Sequence, residues 1–241
     1  LPEFLQIRRR FLPAARNMAV DTILLEEADR IGKVILRFYG WREPAFTFGY
    51  SQRWEAVAEA LGETSATCVR RLTGGGVVDH RADLTYALIV PPSNPNCRLA
   101  APVLYKAIHE ALGCGLAAAG VAAALAPCPK GCGDPTPRGL SLACFSAPEA
   151  DDVIRPDTGQ KLAGAAMKRN RKGLLVQGSI LVGNDSGWPD LEFMEVFGHA
   201  LAQWLGAKAR PCASEEELPL SQSRLSKWEQ TFADPGWNRR R

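Results

Sequence analysis

The sequence predicts an α+β fold, a mixed β-sheet flanked by helices, and three observations carry that prediction. Runs rich in β-branched and aromatic residues at 33–39, 67–72, 84–90 and 174–182 read as strands. Apolar residues recur at helical intervals near 17–31, 102–119 and 191–205. The two kinds of run are mixed without the regular βαβ alternation of a parallel sheet. At 241 residues, 46% apolar and 23% charged, the chain can bury a full core. It is read as a single domain, 1–241, whose last stretch, 212–241, is a poorly defined tail.

In chain order, Asn17 is placed to cap a first helix carrying Met18, Val20, Ile23, Leu24 and Ala28, and Gly32 stops it. Residues 33–39 and 45–49 are expected strands, and 54–61 an expected helix. Residues 67–72 and 84–90 form two more strands flanking a glycine-rich turn. The breaker run 91–96 follows, and Pro102 suits the first turn of a helix reaching about residue 119. Val103, Leu104, Ile108, Ala111 and Leu112 share one face of it. Residues 128–138 are dense in Pro and Gly and read as loop. Residues 152–154, 161–168 and 174–182 are expected strands of a second, hairpin-rich layer. A last clear helix covers 191–205, and 225–232 is weakly helical.

The net charge of +3 is too small to argue for nucleic acid as a partner. The arginine runs 8–10 and 239–241 read as solvated or disordered ends, and 168–172 as a solvated turn or a face for an acidic protein. No run of 18 apolar residues exists, so no membrane span is expected. The first residues lack the continuous apolar core of a signal peptide. Seven irregularly spaced cysteines do not suggest a secreted disulfide framework, which makes a reducing cytoplasm the expected compartment. Cys128 and Cys132, even with Cys97, lack a convincing fourth ligand, and no metal site is expected.

The chemistry concentrates in three places. The first is Arg70-Arg71-Leu72-Thr73-Gly74-Gly75-Gly76, followed by His80. Glycines let backbone amides approach a ligand, successive amides form an anion-binding concavity, and guanidinium groups add bidentate donors. The stretch suits a phosphate or the polar end of an acyl group; the plainer alternative is a β-turn. His80 is either a general base or a strand-end residue that bonds the glycine loop and shapes a pocket. The second place is Lys161, bracketed by Gly159 and Gly164, where an ammonium can stabilise charge developing on a bound carbonyl. An exposed lysine beside a turn is the alternative. The third is Cys144, ahead of Pro148. It is either a buried structural cysteine or a thiolate that accepts an acyl group from a thioester and passes it to an amine. Positive charge such as Lys161 would favour the thiolate. His109 and His199 fall inside helical patterns.

These segments carry a family resemblance. Arg70–Gly75 with His80 and Asp83-Leu84-Thr85-Tyr86 resembles the lipoate–protein ligase and octanoyltransferase superfamily. Asn17-Met18-Ala19-Val20-Asp21, Tyr39-Gly40-Trp41 with Pro44, Gly159–Ala166 and Leu175–Ser179 agree in order, from about residue 17 to 183. The resemblance implies a mixed sheet flanked by helices, shared with biotin–protein ligases. It implies that Lys161 is the essential lysine and that Arg71, Thr73, Gly74, Gly75, Gly76, His80, Gly164 and Ala165 contact substrate. Cys144-Phe145, about seventeen residues before Lys161, matches the nucleophile of cysteine-dependent octanoyltransferases of the LipM type.

Two mechanisms follow from the resemblance. A transferase moves an octanoyl or lipoyl group from acyl carrier protein, through an acyl-cysteine, to a lysine of a lipoyl domain or glycine cleavage H protein, with no cofactor. A ligase activates the free acid with ATP and Mg²⁺. Cys144, the segment Arg81-Ala82-Asp83-Leu84-Thr85-Tyr86 and the short remaining chain favour the transferase. A catalytically silent acyl-binding homologue is the third class. The chain departs from the family pattern at Gly76, where transferases often carry arginine, and at Arg81, where aspartate is usual. Gln177 stands where histidine is typical, and Ala165-Ala166-Met167 replaces Ser-Ala-Gln.

Overall fold

Three consecutive arginines open the fold inside a strand rather than in a disordered end. β1 (Glu3–Leu12) buries Phe4 and Ile7 while Arg8 and Arg10 face solvent and Arg9 is half-buried, so the arginine run is part of a paired strand. The structure, a computed structural model, describes residues 1–128, 148–181, 191–210, 218 and 220–240. Cys144, Cys132 and most of the expected 128–138 loop lie outside the described residues.

Pro13 fixes an extended entry to α1 (Ala14–Ile31), which makes Pro13 and not Asn17 the capping residue. Gly32 ends the helix in the left-handed conformation at φ 65°, its amide donating to the Ala28 carbonyl. β2 (Val34–Trp41), β3 (Ala45–Phe48), α2 (Trp54–Leu61), β4 (Thr67–Arg70), β5 (Val78–Asp79) and β6 (Asp83–Val90) follow. Then come α3 (Ala101–Ala118), β7 (Ala124–Leu125), β8 (Val153–Ile154), β9 (Lys161–Asn170) and β10 (Gly173–Leu181). The described chain continues with α4 (Leu191–Trp204), β11 (Lys208–Ala209), α5 (Gln222–Ala233) and α6 (Pro235–Asn238).

The fold is α+β, built on an eight-stranded mixed sheet in the order β11-β1-β2-β6-β10-β9-β8-β7. β1 runs parallel to both its neighbours, and the remaining pairs are antiparallel. Every residue of β6 is buried because helices cover both faces of the sheet. On one face Phe38 and Tyr86 pack with Leu104 and Ile108 of α3 and Phe193 and Phe197 of α4. On the other, Ile35, Tyr39, Ile89 and Leu175 pack with Ile23 and Leu24 of α1, and α5 adds Leu225 and Phe232 to that core. The stretch expected to be a poorly defined tail thus contains two helices.

Two expectations about topology are corrected. β8, β9 and β10 do not form a second layer, because β10 pairs along β6 from Leu174 opposite Val90 to Leu181 opposite Asp83. Nor does the glycine turn join neighbouring strands. β4 belongs to a separate three-stranded sheet, β4-β3-β5, and the chain crosses from there to β6 in the main sheet. The glycines therefore lie within the small sheet, between β4 and β5, and the junction between the two sheets falls at residues 80–82. Among the described residues no helix is long and apolar enough to cross a membrane.

Candidate active site

A cavity opens at that junction, bounded by α1, β2, the small sheet and strands β9 and β10. Its walls include Met18, Tyr39, Trp41, Val78, Ala165 and Ala166, with Arg71, His80, Lys161 and Gln177 as polar features. An apolar chamber with a few placed polar groups is the usual form of a small-ligand site. Three buried carboxylates organise the surrounding side chains.

Asp21, on α1, accepts from Arg37 at 3.0 Å, from the Tyr39 hydroxyl at 2.7 Å and from Gln177 at 2.8 Å. Burial raises its pKa, and Arg37 and these hydrogen bonds oppose the rise. Gln177 also accepts from the Thr73 hydroxyl at 2.7 Å, so it ties the first helix to the glycine turn. Asn17 completes the set, accepting from Arg37 at 2.8 Å and donating to the Gly40 carbonyl at 2.9 Å. Its side chain joins α1 to β2 from within the helix.

Asp83 lies 2.8 Å from His80 Nδ1 and accepts from the hydroxyls of Thr85 and Ser179. A carboxylate accepts only, so Nδ1 carries a proton, and in the neutral ring Nε2 accepts from the Thr47 hydroxyl 2.8 Å away. Trp41 stacks on the imidazole with ring centres 4.0 Å apart. His80 is thus fixed on three sides. It reaches the glycine turn indirectly, through Thr47 and Arg71.

Asp152 is fully buried and pairs with Lys161 Nζ at 2.7 Å. Lys161 is only 6% exposed, which replaces the picture of a solvated lysine beside a turn. The Tyr105 hydroxyl donates to the same carboxylate. Burial, and then the charge of Asp152, pushes the phenol well above its ordinary pKa.

Of the residues singled out in the sequence, Arg71, His80, Lys161, Gly164 and Ala165 line one cavity. Thr73 stands behind Gln177. Gly74, Gly75 and Gly76 are not among the lining residues, and Arg71 donates to the carbonyls of Gly74 and Gly76. Arg70 is fully buried and donates to the carbonyls of Tyr50, Gln52 and Asn238. Cys144 lies outside the described residues. Cys128 is disulfide-bonded, and no metal-holding group of three His, Cys, Asp or Glu occurs among the described residues.

Asp21, Asp83, Asp152, Tyr105 and Trp41 were not picked out from sequence as site-forming residues. Asp21 follows Asn17 by one helical turn, a spacing that places both on one face. For Asp152 no local signal exists.

Comparison with known proteins agrees with this architecture. The profile of the lipoyl protein ligase A/B catalytic domain matches residues 13–217. The octanoyltransferase LipM of Kyrpidia tusciae is 37% identical over 176 residues, 71% of this chain and 63% of that protein. That of Staphylococcus epidermidis is 36% identical over 170 residues, 68% of this chain and 60% of that protein. The chain thus matches less than two thirds of the length of these relatives. Among solved structures, the bipartite lipoate protein ligase of Thermoplasma acidophilum superposes with a TM-score of 0.69 at 18% identity. That match covers 99% of this chain and 96% of the other, and it shows a shared fold.

Proposed function

The chain belongs to the lipoyl protein ligase A/B catalytic-domain family, and within it we propose that the chain is an octanoyltransferase. The acyl group, octanoyl or lipoyl, leaves the thioester of an acyl carrier protein, passes through an acyl-cysteine on Cys144, and ends on a lysine of a lipoyl domain or glycine cleavage H protein. The observation that carries acyl-transfer chemistry is Lys161, nearly buried at the wall of a largely apolar cavity, and Cys144 is what favours a transferase over a ligase. Such a chamber suits a saturated acyl chain, and Ala165, where the family pattern has serine, adds to its apolar wall. The names of the two relatives above point the same way.

The Cys144 thiolate attacks the thioester carbonyl. The carrier's C–S bond breaks, and its thiolate leaves and takes up a proton. The acceptor amine then attacks the acyl-cysteine, forms the amide, gives up a proton and releases the Cys144 thiolate. At both stages negative charge develops on the carbonyl oxygen, and the Lys161 ammonium stabilises it. One such donor contributes about 3 kcal/mol, roughly a hundredfold in rate. The thioester is already activated, so this route needs no cofactor, whereas a ligase would need ATP and Mg²⁺.

Intact-mass measurement after incubation with octanoyl-carrier protein tests the reading. Wild type gains one octanoyl group without ATP, Cys144→Ser forms no stable thioester, and Lys161→Ala folds but transfers about a hundredfold more slowly. Pyrophosphate released in step with lipoylation, undiminished in Cys144→Ala, would make the protein a ligase. No transfer under either condition would make it an acyl-binding homologue.

A further inference from the structure

The Lys161–Asp152 pair is almost wholly removed from water, with side-chain exposures of 6% and 0%. Burying two charges costs more than their attraction returns unless further hydrogen bonds satisfy them. Asp152 has those bonds without the lysine. The Glu149 amide donates to one oxygen at 2.6 Å, and the Tyr105 hydroxyl donates to the other. Tyr105 is fixed in turn, accepting from the Ala165 amide at 3.2 Å and packing against His109 with ring centres 4.1 Å apart. His109 Nδ1 donates to the carbonyl of Asp151 at 2.6 Å, and Asp151 holds a left-handed φ of 63°. Tyr105 and His109 are one helical turn apart on α3, so that helix presses two side chains onto the turn bearing Asp152.

Gly164 keeps the way clear for the lysine stem. A Cβ there would sit 2.7 Å from Lys161 Cε, 2.8 Å from Nζ and 3.1 Å from Asp152 Oδ1.

We propose that Asp152, held by Tyr105 and the Glu149 amide, forms a preformed socket for a primary alkylammonium group. Lys161 fills this socket from within the chain, and Asp152 is the positioning residue that sets the ammonium at the cavity wall. The inference rests on the transferase reading only for its kinetic consequence. Removal of the lysine side chain leaves an anionic socket at the end of an empty passage, which ethylammonium or propylammonium can enter. Tetramethylammonium carries the same charge but has no N–H to donate.

The test is the full chain carrying Lys161→Ala, with its thermal midpoint titrated against chlorides of ethylammonium, propylammonium and tetramethylammonium. The primary amines are expected to raise the midpoint saturably and tetramethylammonium is not. The difference disappears in Lys161→Ala/Asp152→Asn, and Tyr105→Phe weakens amine binding roughly fivefold, as loss of one hydrogen bond does. Equal shifts from all three cations, or shifts unaffected by Asp152→Asn, overturn the socket.

Gly164→Ala gives a second measurement if a double variant fails to fold. The methyl group meets the end of the Lys161 side chain and Asp152 Oδ1, so the variant folds with a lowered thermal midpoint. The displaced ammonium lowers kcat at least tenfold. An unchanged kcat overturns the positioning role. Amine binding without restored turnover leaves the socket standing and counts against the transferase reading.

Discussion

Gly74 and Gly75 are neighbours in sequence but do unequal work. Gly75 sits at φ 85°, in the region that penalises any side chain, and a Cβ on Gly49 would lie 2.1 Å from its carbonyl oxygen. A Cβ on Gly74 would meet nothing within 4 Å. Gly75→Ala should therefore cost about 1–2 kcal/mol of stability, and Gly74→Ala no more than about 0.5 kcal/mol. Urea unfolding of both variants checks this, and equal costs would show that backbone conformation is not what the turn demands. The residue types in the site were legible: a glycine-bracketed lysine, a histidine after a glycine turn, an arginine beside it. The long-range contacts that hold the buried carboxylates around them were not. Asp21 meets Gln177 156 positions away, Asp83 meets Ser179 across 96, and Asp152 meets Tyr105 across 47. No local pattern encodes such contacts. Arg70 shows the same limit, because its guanidinium serves carbonyls of Tyr50, Gln52 and Asn238 that only the fold brings near.

Among the elements, those with strong periodicity were legible to within a few residues, including α1, α3, α4, β6 and β10. β1 was hidden because Arg8 and Arg10 resemble a solvated tail, although a strand near the sheet edge can carry them outward while burying Phe4 and Ile7. β5, β7 and β11 are each two residues long, too short to declare themselves by alternation, whereas β8 falls within the strand expected at 152–154. α3 was legible as a helix, but the use of its Tyr105–His109 face was not. That face makes a prediction about pH. His109 is buried, its Nδ1 donates to a carbonyl, and its Nε2 has no hydrogen-bond partner among the described residues. Burial lowers its pKa from the ordinary 6.5. The unfolded chain therefore binds a proton that the folded chain refuses. The contribution to stability is complete above 6.5 and is lost as pH falls toward the folded-state value. Denaturant midpoints at about pH 7 and 5 should fall further in wild type than in His109→Asn, whose amide nitrogen can replace Nδ1 without titrating. Parallel pH slopes would mean that His109 contributes nothing to acid sensitivity.

Across the whole molecule, the cavity depends on chain that lies beyond the family match, which ends at residue 217. α5 packs Leu225 and Phe232 against the α1 core, and Arg224 pairs with Glu26 and Glu27 on the same helix. α6 then secures β4. Asn238 Oδ1 accepts from the Arg70 amide at 2.8 Å, its carbonyl accepts from the Arg70 guanidinium at 3.0 Å, and Trp237 donates to the Arg70 carbonyl at 2.9 Å. α1 supplies Met18 to the cavity, and the residue after β4 supplies Arg71. The sequence concealed this role because apolar residues in the last helices are sparse, with Leu225, Trp228 and Phe232 spaced for a narrow contact rather than a broad face. Asn238→Ala should cost about 1–3 kcal/mol, the penalty for leaving a buried amide without an acceptor. Deletion of residues 221–241 removes both contacts. It should lower the midpoint of a single cooperative transition by more than about 5 °C, since the loss exceeds the roughly 2 kcal/mol that such a shift represents for a domain of this size. Octanoyl transfer should fall with it, because α1 and β4 lose their outer support together. A truncated chain that kept both its midpoint and its transfer rate would show that the catalytic unit is complete without α5 and α6.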